Sequence, residues 1–150
     1  MATRIGMMMG DPAGIGAELA ARVLSNDVMS AETGVVVVGD PTHLARGQSA
    51  AGTDLGIETL TGANDVNVEA GKVSLLPQSL AGAESYPLGE SKPEGGRYML
   101  DCFETLLALH KEGRIDSICF APVNKHALKI GGMSYPDEGQ WLTAQLEYAG

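Results

Sequence analysis

The sequence is short of positive charge. Lys and Arg number 10 against 19 Asp and Glu, a formal net charge of −9 over 150 residues. Nucleic acid and anionic membrane surfaces are held by clustered Lys and Arg, so this balance argues against both as partners. A small anion is still allowed, because a few local donors can hold one. Cysteine is scarce as well. Cys102 and Cys119 fit no zinc spacing and are too few for a disulfide scaffold. Cys119 sits in an apolar run and Cys102 in a helical one, which predicts two buried free thiols and a reducing compartment. Long apolar runs are missing. The run Ile5–Met9 is stopped by Gly10-Asp11-Pro12, too early for a signal-peptide core, and no other segment approaches a membrane span. A soluble, cytoplasmic protein is expected. The histidines, His43, His110 and His126, show no ligand spacing such as i, i+4 on one helix.

What is present is a globular composition. The hydrophobic fraction is 44%, too high for a disordered chain, and the length suits one domain with a real core. Arg4 to Met9 reads as a short buried strand. Ile15 to Leu24 reads as a helix with Ile15, Leu19, Val23 and Leu24 on its inward face. Val35–Val38 is apolar on both faces, as in the middle of a parallel sheet, and ends in Gly39-Asp40-Pro41. Thr42 to Ala51 predicts a short helix, weakened by Gly47 and Ser49. Leu55–Leu60 and Val73–Leu76 read as short strands, and Gly82–Gly96 as loop. Tyr98, Met99, Phe103, Leu106, Leu107 and His110 share one helical face, with Gly113 as the stop. Ile115–Phe120 is the next strand. Ala121–Lys125 is a loop, His126–Ile130 starts a helix, and Trp141, Leu142, Gln145 and Leu146 suggest a last one.

Strands alternating with helices predict an α/β fold: a mostly parallel sheet with flanking helices. Ligands of such sheets bind beyond the C-terminal ends of the strands. The loops 10–16, 39–41 and 121–125 lie at such ends. In the first, Gly14 and Gly16 let the backbone turn and a ligand approach. The amides around Ile15 and Gly16 then become donors at a helix N-terminus, where negative charge is favoured. Asp11 has two roles open to it: accepting from ligand hydroxyls, or capping the turn. The spacing is neither G-x-G-x-x-G nor a P-loop.

The stretch "MGDPAGIGAE" at 9–18 resembles the N-terminal signature of the 4-hydroxythreonine-4-phosphate dehydrogenase family of pyridoxine biosynthesis. "VVVVGDP" at 35–41 is similar to its second strand and turn. "EGGRYMLDCFETLLALHKEGRIDSICFAPVNKHAL" at 94–128 is similar to its long helix, strand and Pro-Val-His/Asn-Lys loop. The resemblance implies an isocitrate/isopropylmalate-dehydrogenase-like fold. It also implies a homodimer that oxidises a small hydroxy acid with NAD and a divalent metal, with decarboxylation following. Asp11, Gly14, Ile15 and Gly16 then lie on the cofactor side, and Asn124 and Lys125 on the substrate side. Lys125 has a second reading as a solvated surface lysine. The family's metal-binding histidines lie further along than residue 150, so no metal ligand is assigned, and catalytic residues remain unassigned. The expected organisation is an incomplete N-terminal portion: residues 1–125 as part of an α/β domain, 126–150 as the start of a second domain or an interdomain segment.

One motif departs from the family. Counted without gaps from Lys125, its Gly-His-Thr-Glu substrate motif falls on Asp137-Glu138-Gly139-Gln140. Glu138 at the substrate position would repel a phosphate and favour an unphosphorylated hydroxy acid. Its alternative role is to cap the last helix. Two other readings stand beside the enzyme: a non-catalytic α/β ligand-binding or assembly module, and an unrelated α/β domain.

Overall fold

The computed structural model describes residues 3–25 and 31–147. Five parallel strands form one sheet: β1 (Thr3–Met8), β2 (Thr33–Gly39), β3 (Glu58–Thr59), β4 (Val73–Pro77) and β5 (Ser117–Phe120), in the order β3-β4-β2-β1-β5. The helices are α1 (Gly16–Ser25), α2 (Pro41–Ala51), α3 (Pro93–Lys111), α4 (Lys125–Ile130) and α5 (Glu138–Gln145). The strands containing Met7, Val36 and Ile118 pair side by side, with β1 in the middle.

Side-chain alternation along β1 and β2 splits the core in two. Met7, Met9, Val35 and Val37 point to the layer of α1 and α2, where they meet Ala17, Ala20, Leu24 and Leu44. Met8, Val36 and Val38 point to the opposite layer, where α3 supplies Tyr98, Met99, Phe103 and Leu106. Ala127, Leu128 and Trp141 from α4 and α5 join that second layer. Phe103, fully buried, lies edge-on to Phe120 at 5.1 Å and near Trp141 at 5.8 Å. Burial of a side chain this size is worth roughly 1.5–3 kcal/mol.

Four expectations need correction. Helix α1 buries Gly16, Ala17, Ala20, Ala21 and Leu24, while Ile15, Leu19 and Val23 are exposed. The reason is close helix packing. A Cβ on Gly47 of α2 would lie 2.4 Å from the Ala17 carbonyl oxygen, so only small residues fit between the two helices. Cys119 is exposed, unlike Cys102. It pairs opposite Met7, so its side chain is on the α1 side of the sheet, but β5 is an edge strand that α1 does not cover. The stretch 55–60 contributes only the two-residue β3, and the rest of it runs outside the sheet. Residues 82–96 are loop as far as Lys92 apart from a 3₁₀ turn at Ala83–Ser85, and α3 then starts at Pro93.

The chain changes face at the C-terminal edge of this sheet. From β1 the chain turns to α1 on one face, and from the adjacent β5 it turns to α4 on the other. Such a change of face at the C-terminal edge of a parallel sheet is where ligands of these folds bind.

Candidate functional site

The two loops at this edge are stitched together. The Ala121 amide donates to the Met8 carbonyl and the Asp11 amide to the Pro122 carbonyl, both at 3.0 Å. The sharp turn falls at Gly10, with φ of +73°, rather than at Gly14 or Gly16, neither of which has positive φ. A Cβ at Gly10 would lie 2.3 Å from the Pro122 oxygen, so the loops can meet only at a glycine. Asp11 is buried and its Oδ1 accepts from the Ala13 amide at 2.9 Å, while its carbonyl accepts from Gly14 at 3.0 Å. Of its two open roles, the turn cap is the one its contacts fill. Gly16 is needed for close approach: a Cβ there would lie 1.9 Å from the Met9 oxygen. The amides of Gly16, Ala17 and Glu18 open α1 and take no acceptor from the described residues. They are free donors at the positive end of the helix dipole. The Ile15 side chain is 63% exposed beside them.

On the second loop, Asn124 is the N-cap of α4. Its Oδ1 accepts from the Ala127 amide at 3.0 Å, and its Nδ2 donates to Ser91 Oγ at 2.9 Å. The side chain is therefore held at both ends, and it fixes the loop against the segment preceding α3. Lys125 follows as an exposed first residue of α4. Glu138 sits in the first turn of α5, but the cap is Asp137, whose Oδ1 accepts from the Gln140 amide at 2.8 Å. Glu138 Oε2 is buried without a partner among the described residues. The fold thus brings 10–16 and 121–125 together, whereas no hydrogen bond links Glu138 to either among the described residues.

The third loop expected at this edge, 39–41, carries Asp40 into a cluster with His43 and Tyr98 that the sequence did not show. Asp40 caps α2, its carboxylate accepting from Thr42 at 2.8 Å, His43 at 3.3 Å and Leu80 at 2.9 Å. Its own amide donates to Tyr98 Oη at 2.9 Å, and His43 Nδ1 lies 3.2 Å from the same oxygen. His43 is 2% exposed. Burial lowers its pKa to about 4, helped by the nearby Arg46 charge and opposed by Asp40. Burial likewise pushes the Tyr98 phenol well up. The cap was legible in "GDPTH", with Asp before Pro at the first helical position. The pairing of His43 with a tyrosine 55 residues away was not.

No group of three or more His, Cys, Asp or Glu side chains able to hold a metal occurs among the described residues. The described residues do not by themselves assemble a divalent-metal site.

Comparison with known proteins now bears on this geometry. A D-threonate 4-phosphate dehydrogenase of Cupriavidus necator is 30% identical over 138 residues, covering 92% of this chain and 41% of its own length. A Pseudomonas aeruginosa protein with the provisional name 4-hydroxythreonine-4-phosphate dehydrogenase 2 is 33% identical over 147 residues, covering 98% and 44%. The crystal structure of a 4-hydroxythreonine-4-phosphate dehydrogenase from Burkholderia phymatum superposes with a TM-score of 0.86 at 28% identity, again covering 98% and 44%. The chain therefore spans less than half the length of these relatives. Residues 31–149 match the family described as pyridoxal phosphate biosynthetic protein PdxA. With most of its length inside that match, the chain belongs to the PdxA family.

Proposed function

We propose that this chain forms part of an NAD-linked dehydrogenase acting on the secondary alcohol of a small hydroxy acid, as a homodimer. The observation that carries the reading is the stitching of the loops 10–16 and 121–125 at one edge of the sheet. The donors there suit a nucleotide. The free amides of Gly16, Ala17 and Glu18 would hold phosphate oxygens of the cofactor, with the α1 dipole favouring their charge. When bound, NAD supplies the hydride acceptor for the carbinol carbon. Lys125, exposed on the neighbouring loop, would attract the substrate carboxylate, and Asn124 would hold that loop in place through Ser91. A role for Asp11 beyond the turn is not needed by this reading.

The substrate class rests on Glu138. The relatives are named for phosphate esters; in the resemblance, counted without gaps from Lys125, a histidine able to donate to phosphate would stand where Glu138 does. An ionised glutamate only accepts, so an unphosphorylated hydroxy acid suits this chain better. Titration of the 150-residue chain with NAD, followed by amide NMR, tests the cofactor assignment. Saturable shifts at Ile15, Gly16 and Ala17 are expected; unchanged amides there would remove it. Calorimetry of the wild type and Glu138→His with 4-hydroxythreonine phosphate tests the second assignment. Tight binding by the unmutated protein would refute it.

A further inference from the structure

The segment between the 3₁₀ turn at Ala83–Ser85 and α3 touches both loops of the candidate site. The Gly89 amide donates to the Ala13 carbonyl at 2.8 Å, which ties the segment to the loop 10–16. Ser91 Oγ accepts from Asn124 Nδ2 at 2.9 Å, which ties it to the loop 121–125. The upstream end is anchored by Tyr86, which is buried. A Cβ on Gly95 would lie 2.3 Å from Tyr86 Oη and 3.1 Å from Pro12 Cγ, so the phenol, the start of α3 and Pro12 converge on one point. Residues 86–91 thus form a strap with three anchors.

The placing of these anchors matters. The direct bonds between the two loops lie near their bases, from Ala121 to Met8 and from Asp11 to Pro122. The strap adds a second tie further along both loops, from Ala13 to Asn124 by way of Gly89 and Ser91. One tie leaves a hinge; two ties at different points fix an angle as well as a distance. Ala13 lies in the turn that leads to the free amides of Gly16, Ala17 and Glu18. Asn124 is itself held on its other side by the Ala127 amide at 3.0 Å, so the strap pulls against a fixed point. The strap also brings Leu88 to the wall of a cavity of about 150 Å³, which it shares with Pro12, Gly14 and Ile15 of the first loop.

We propose that residues 86–91 are the positioning element of the candidate site, with Ser91 and Gly89 holding the start of α1 at a fixed angle to the 121–125 loop. Ser91 acts through Asn124 and Gly89 through Ala13, so both are positioning residues. The inference rests on the reading above in one respect, that a ligand binds at the α1 amides.

The test compares Ser91→Ala, which removes the acceptor, with Ser91→Thr, which keeps it, in the full chain. In Ser91→Ala the Gly89 amide should exchange its hydrogen about fivefold faster, the loss expected of one neutral hydrogen bond. The ¹⁵N amide signals of Gly14, Gly16 and Ala17 should move, while those of Glu58 and Thr59, in the strand at the far edge of the sheet from β5, should not. Ser91→Thr should restore the wild-type pattern. Asn124→Asp keeps the Ala127 cap but has no donor for Ser91, and should reproduce the exchange and shift changes of Ser91→Ala. Ser91 is only partly buried, so its variants should fold. NAD, followed at Gly16 and Ala17, should bind Ser91→Ala about three- to tenfold more weakly than the wild type, and Ser91→Thr equally well. If NAD leaves the wild-type amides unmoved, the cofactor assignment falls, and the exchange and shift data alone decide the strap. Gly16 and Ala17 signals unmoved in Ser91→Ala, Gly89 exchange unchanged, a threonine variant that behaves as alanine, or wild-type NAD affinity retained in Ser91→Ala would each overturn the proposal.

Discussion

Replacing Gly16 with alanine tests whether the β1–α1 turn is as tight as described. An added Cβ would lie 1.9 Å from the Met9 carbonyl oxygen and 3.0 Å from Ala121 Cβ. Real Cβ atoms stay at least 3.0 Å from such neighbours, so the turn must open by 3.0 − 1.9 = 1.1 Å or more. The Met9 oxygen is backbone, and no rotamer change can move it. Overpacking of this kind costs about 1–3 kcal/mol. Two effects pull the other way. Alanine loses less chain entropy on folding, worth about 0.4–1 kcal/mol, and has better helix propensity, though little of that counts at a first helical residue. The net is a loss of about 1–2 kcal/mol. Gly14→Ala is the control. Its Cβ would meet nothing nearer than the Asp11 oxygen at 3.4 Å, and its φ is not positive. That variant should be neutral or gain up to about 1 kcal/mol. Urea unfolding of the three proteins by circular dichroism measures both shifts. If Gly16→Ala unfolds at or above the wild-type midpoint, the close approach of α1 to β1 is wrong.

Asp40→Ala should destabilise by roughly 2–4 kcal/mol in the same assay, because it removes the α2 cap and strands the buried Leu80 amide. His43 should make stability depend on pH. Its folded pKa of about 4 lies below the ordinary 6.5, so the unfolded chain binds the proton first. Its contribution is complete above pH ~6.5 and is lost as pH falls toward 4, by about 3 kcal/mol in all. Urea midpoints measured across that range should fall in the wild type and stay flatter in His43→Gln; parallel curves would refute the assignment.

Much of the architecture was legible because it rests on local signals. "VVVV" at 35–38 announces a strand buried on both faces, and Gly113, with φ of +69°, is the helix stop it was read as. The inward face of α1 was misread because the usual rule ranks Ile, Leu and Val above Ala. Here the spacing of two helices, fixed by Gly47 against Ala17, outweighs that ranking, and the larger side chains are left outside. Cys119 was misread because a single strand carries no mark of being at a sheet edge. At the candidate site, the glycine loop was visible as a strand-to-helix turn, but the residue bearing the left-handed conformation is Gly10. The Asp40–Tyr98–His43 cluster was invisible for a different reason: it joins elements far apart in the chain, and nothing in either segment names the other.

The strand order also has a consequence for how the chain is made. β1 precedes the other four strands of the sheet in the chain, and it lies between β2 and β5. Ile5 pairs with Ser117, and Arg4 grips Asp116 across 112 residues of sequence. At 5–20 residues per second, the partner on that side appears roughly 6–22 s after β1 itself. Through that interval one edge of β1 has β2 while the other has nothing, and its unpaired backbone can be taken by any passing strand. The acidic character of the chain, with a net charge of −9, works against such encounters between nascent copies. Variants that neutralise acidic surface residues should therefore lower the yield of folded protein during synthesis before they change the stability of the finished fold.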